Sequence, residues 1–137
     1  MDPVSQLRAS LLPILRAWEQ ELRREYPDVT TNIYDLPVGE LTDWQGHAIG
    51  IECLFKNVPS AEWPDNLALS VSLKHLHKTP SIDSADVVWG HPGGYIEASV
   101  FPASVEFSTD RVVELIKRLP ELFIALKQAI RRGRPLS

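Results

Sequence analysis

Apolar side chains recur every three or four residues at both ends of this chain and every second residue between them. Near the N-terminus Val4, Leu7, Leu11, Ile14 or Leu15, Trp18 and Leu22 share one face of a helix over roughly residues 4–26. Arg8, Arg16, Glu19, Gln20, Arg23 and Arg24 occupy the remainder. Pro13 interrupts this pattern, because proline has no amide hydrogen and crowds the preceding turn. The expectation is either a bend there, or a separate turn over residues 4–10 followed by a second helix from Pro13. Pro27 closes the segment.

From residue 29 the period falls to two. Residues 29–36 predict a first strand, limited by Pro37. Over residues 47–56 Ile49, Ile51, Cys53 and Phe55 share one face, with Glu52 and Lys56 on the other. Over residues 66–77 Leu67, Leu69, Val71 and Leu73 alternate with Ala68, Ser70, Ser72 and Lys74, as in a sheet covered on one face only. Residues 87–89 and 95–101 flank His91-Pro92-Gly93-Gly94, a composition that predicts a β-hairpin. The last helix starts after Ser108 or Thr109, either of which can cap it. Its broad apolar stripe comprises Val112, Val113, Leu115, Ile116, Leu119, Leu122, Phe123, Leu126 and Ile130, with a bend expected about one turn upstream of Pro120.

Helix, four or five strands, helix is the resulting order. Consecutive strands without intervening helices argue for an antiparallel sheet, and its apolar face is the surface both amphipathic helices need. The expected fold is therefore a single α+β domain over residues 1–137, with the N-terminal and C-terminal helices packed on one face of the sheet. The length of 137 residues, the 44% apolar share and the 23% charged share suit such a domain without disulfide or metal support. Cys53 lies alone within an apolar alternating run and reads as a buried core residue of a protein in a reducing cytoplasm. No run approaches the roughly 18 apolar residues of a membrane span. The charged N-terminal segment does not read as a secretory signal.

Charge adds a second pattern. Residues 27–110 carry 12 acidic side chains and three lysines, a formal −9, whereas residues 111–137 carry seven basic and two acidic side chains, a formal +5. Such segregation favours electrostatic docking, onto a partner or between copies of the chain.

Candidate chemistry is sparse. No Ser lies in a G-x-S-x-G setting, and no spacing links Ser, His and Asp into a triad. The Gly90–Gly94 run lacks both a following helix and the Lys-Ser/Thr ending of a phosphate-binding loop, and reads as a turn. His75 and His77 are the candidate metal ligands, since residues two apart in a strand project from one face; His47 or His91, and Asp83 or Asp86, are the possible additions. The competing reading makes the two histidines the polar end of a core row. Lys127, Arg131, Arg132 and Arg134 form a basic cluster, but the acidic middle and the lack of adjacent aromatic residues argue against nucleic acid as partner.

Trp44 and Trp63 lie in predicted loops beside Asp43, Glu62 and Asp65. Tryptophan anchors and acidic steering charges fit a surface that binds a basic protein. The expectation is a cytoplasmic, non-enzymatic interaction module without cofactor, able to form a homodimer. By size and charge alone it is comparable to secretion chaperones or immunity proteins. The alternative is a small ligand-binding or metal-dependent enzyme centred on His75 and His77.

Overall fold

A computed structural model describes residues 2–38, 45–55, 66–75, 79–90, 94–101 and 103–132. The first helix, α1, spans Pro3–Glu25. Asp2 caps it, accepting hydrogen bonds from the Ser5 amide at 3.0 Å and the Ser5 hydroxyl at 2.8 Å, while Pro3 occupies a first-turn position that needs no donor. Of the two alternatives, the separate turn with a second helix from Pro13 does not occur, for α1 is a single helix through Pro13. Pro13 is exposed, and so is Ala9, whose carbonyl loses its amide partner and can turn to water instead.

Five strands follow as an antiparallel meander: β1 (Val29–Val38), β2 (Gln45–Phe55), β3 (Asn66–His75), β4 (Pro80–Trp89) and β5 (Tyr95–Ser99). The two-residue β6 (Val105–Glu106) pairs with the other end of β4, so that β5 and β6 together make one broken edge. Helix α2 covers Thr109–Arg132 and passes through Pro120. Ser108 supplies its cap, accepting the Arg111 amide at 3.1 Å.

This is the α+β architecture that the periodicities predict, with β1 and β4 longer than expected: β1 runs on through Pro37 to Val38, as an edge strand allows. The sequence pattern places a strand only from residue 87, but β4 already starts at Pro80. A bulge explains the difference. Leu73 pairs with Ile82 and Ser72 with Ser84, which leaves Asp83 as an extra residue. Buried Ile82 and Ala85 consequently lie three apart, and the period of two is lost to inspection. A second irregularity leaves Glu97 unpaired in β5. Gly90 turns the chain out of β4 with φ 68°, a conformation that suits glycine.

One core joins the sheet to both helices. It contains Leu7, Leu11, Leu15 and Leu22 of α1, Ile49, Ile51 and Cys53 of β2, Leu67, Leu69, Val71 and Leu73 of β3, and Ile82, Ala85, Val87 and Trp89 of β4. From α2 come Val112, Leu115, Leu119, Leu122, Phe123, Leu126, Ala129 and Ile130. Trp18 stacks on Phe123 with ring centroids 4.4 Å apart, tying α1 to α2. Trp89, which the sequence assigns to neither face, is fully buried on the helix side and stacks against Phe55.

Candidate functional site

Several charges on the helix side of the sheet are matched within the molecule. Asp35 of β1 accepts from Arg8 Nε at 2.5 Å through Oδ2 and from Arg8 Nη2 at 3.2 Å through Oδ1, and His47 Nε2 also donates to Oδ1. Arg8, foremost, and His47 hold the Asp35 carboxyl below the usual carboxylate range. Lys127 of α2 bonds Glu21 and, at 3.1 Å, Glu25 of α1. Glu97 accepts the indole N–H of buried Trp89 at 2.8 Å and pairs with Arg132, fastening the end of α2 to the bulge in β5. Much of the basic tail's charge is therefore engaged with acids of its own chain.

The opposite face of the sheet is different, because both helices pack on the other side. Its side chains follow from the register. Tyr34 of β1 stands beside Gly50 of β2, then Ser70 of β3, Asp86 of β4 and Ser99 of β5, a row crossing five strands. The neighbouring row is Asn32, Glu52, Ala68, Val88 and Ile96, and on the other side lie Leu36, Ala48, Ser72 and Ser84. Small residues thus fill the middle, while Leu36 and Ile96, 44% and 56% exposed, stand at opposite margins.

Within the first row the phenol of Tyr34 crosses Gly50 to hydrogen-bond with Ser70, and burial pushes its pKa up to about 12. A Cβ on Gly50 would lie 2.6 Å from the Tyr34 hydroxyl, so glycine is what admits the ring. Asp86 accepts the Ser99 hydroxyl at 2.6 Å. Burial raises the Asp86 pKa despite that bond, and the charge of Asp83 adds to the effect. Asp83 itself pairs with Lys74 at 3.3 Å. Among the described residues, neither Asp86 nor Glu52 has a cationic partner.

The residues expected to form the interaction surface, Trp44, Trp63, Asp43, Glu62 and Asp65, lie outside the described residues. So does His77. His75 is the last residue of β3, in register with Gln45 and Pro80. His47, considered as a third ligand, is engaged by Asp35 instead. No group of three or more metal-ligating side chains occurs among the described residues. Cys53 is fully buried, and desolvation, followed by the charges of Glu52 and Glu19, pushes its thiol up to about 12, which leaves it un-ionised and a poor nucleophile. Comparison with protein-family models, curated proteins and solved structures finds no match. No helix among the described residues is long and apolar enough to cross a membrane.

The row that contains Asp86 is absent as a row from the sequence-based candidates, which name Asp86 only as an additional metal ligand. Period two already says that Ser70, Ser72 and Glu52 point away from the core. What aligns them with Tyr34, Asp86 and Ser99 is strand register, and the bulge at Asp83 hides the parity of β4.

Proposed function

We propose that this chain is a non-enzymatic interaction module that receives a cationic protein segment on the helix-free face of its sheet. The observation that carries the reading is the distribution of unmatched charge. Asp35, Glu21, Glu25 and Glu97 are each neutralised on the helix side or at its margin, whereas Glu52 and Asp86 lie on the other face with no cation among the described residues. A half-buried carboxylate without a counter-charge is costly, and an incoming lysine or arginine would relieve that cost.

Apolar and polar parts of the face have complementary uses. Leu36 and Ile96 offer apolar contact at the two margins, and the small residues between them let a partner approach the backbone closely. The acids steer encounter and fix orientation, while the buried contacts supply most of the affinity.

The test is affinity capture from an extract of the encoding organism at low and moderate salt, with the wild-type chain beside Glu52→Gln/Asp86→Asn. Both substitutions are nearly isosteric, and the carboxamide introduced at position 86 can still accept from Ser99. The expected result is a basic protein retained by the wild type, held less well at moderate salt and lost by the variant. Equal retention by the variant, or no partner at either salt concentration, contradicts the reading.

A further inference from the structure

Helices α1 and α2 lie side by side and run the same way. Gln6 of α1 bonds Thr109 of α2 at 3.3 Å, Trp18 stacks on Phe123, and Glu21 and Glu25 meet Lys127, so like ends of the two helices are together. Arg23, Arg111, Arg118 and Lys127 are paired with acids of these same helices. The ends of the layer differ in sign: Asp2 and Asp110 are exposed at the amino end, Arg24 and Arg131 at the carboxyl end.

The outward side of α2 carries a second pattern. Asp110, Val113, Lys117, Pro120, Ile124 and Arg131, all exposed, lie opposite the core residues Leu115, Leu122 and Leu126. With Lys127 they are spaced alternately three and four apart, the spacing of a seam between two packed helices. Val113 and Ile124, 47% and 56% exposed, are the large apolar side chains of α2 that the core does not cover. On α1 the outward side is small at Ala9 and Ala17, with Pro13 between them, all three exposed.

We propose that a second copy of this chain docks on this helix layer, its α2 antiparallel to the first across a two-fold axis. In that orientation the seam reads the same in both directions. Val113 of each copy faces Ile124 of the other, Lys117 lies along Pro120, and Asp110 falls opposite Lys127 and one turn from Arg131. The same axis lays α1 over α1, where Ala9, Pro13 and Ala17 permit close approach and Arg24 comes toward Asp2 of the second copy. Parallel pairing would instead set Asp110 on Asp110, Lys117 on Lys117 and Arg131 on Arg131. Helices of 23 and 24 residues make a contact about 35 Å long and, at about 10 Å per helix, about 20 Å wide, close to the about 800 Å² a side of a stable interface. The face proposed for the cationic segment lies on the other side of the sheet and stays open in the dimer.

Sedimentation equilibrium and cross-linking of the full chain test it. The wild type is expected to dimerise in the micromolar range, more weakly as salt rises. Val113→Glu/Ile124→Glu sets like charges against each other twice and is expected to weaken the dimer by about tenfold or more. Val113→Glu/Ile124→Lys makes both contacts attractive in the antiparallel register and restores association. Both positions are exposed, so circular dichroism is expected to report an unchanged fold. A mixture of Val113→Cys and Ile124→Cys chains, oxidised in air, is expected to give a cross-linked dimer that neither chain gives alone, since the two copies of position 113 are about 16 Å apart along the seam and Cys53 is buried. A monomer at about 1 mM, a dissociation constant unmoved by the glutamate pair, a charge-swapped variant no tighter than the double-glutamate chain, or equal cross-linking by either cysteine variant alone overturns the proposal.

Discussion

Asp35 has the most completely defined surroundings of any single acid here, and its chemistry has a consequence for pH. Arg8 and His47 hold its folded-state pKa below the unfolded value of about 3.9. A depressed carboxylate contributes stability that is present above the unfolded pKa and is lost as pH falls through the folded one. Asp35→Asn is therefore expected to cost about 1 kcal/mol near neutral pH, the scale of a partly exposed charge-assisted bond. Urea unfolding followed from pH 7 downward is expected to show the gap between wild type and variant closing below about pH 4. A gap that stays constant with pH would mean that the ion pair contributes nothing beyond shape. Asp86 has the opposite shift from a different cause, since its carboxylate loses water without gaining a cation. Those two residues mark the difference between the two faces of the sheet. Neither environment was legible in the sequence, because each is assembled from strands whose relative register no local pattern encodes.

Among the elements, the helices were read almost completely and the sheet less so. Helical periodicity survives both prolines, and the predicted apolar faces of α1 and α2 are the ones in the core, except that Val113 of α2 is exposed. What the pattern leaves open is whether Pro13 splits the helix; it does not, and it lies on an exposed side where a lost hydrogen bond exposes a carbonyl to water instead of burying it. Because each proline still deprives its helix of a donor, Pro13→Ala and Pro120→Ala are each expected to stabilise the fold by about 1–3 kcal/mol in urea unfolding. A loss of stability would show that the proline geometry is needed for helix packing. The strands obey their period of two wherever the ladder is regular, as in β2 and β3. Bulges at Asp83 and Glu97 defeat the same rule in β4 and β5. Those irregularities are not idle, since the residue freed at Glu97 becomes the acceptor for Trp89 and the anchor for Arg132.

At the scale of the whole molecule, the charge asymmetry read along the chain becomes an asymmetry across the sandwich. The basic C-terminal helix is matched in part by its own neighbours through Lys127 and Arg132, so it is not simply a free cationic tail. Among the described residues, the partly buried acids left without cations, Glu52 and Asp86, lie on the helix-free face. One measurement addresses this arrangement directly. Titration of the isotope-labelled protein with a short lysine- and arginine-rich peptide at low salt, followed by amide chemical shifts, reports which acids receive the cation. Shifts are expected to concentrate at Glu52, Ser70, Asp86 and Ser99 and to disappear as salt is raised, with Asp28, Glu106 and Asp110 little affected. Shifts spread evenly over every exposed carboxylate, or centred on the helices, would contradict it.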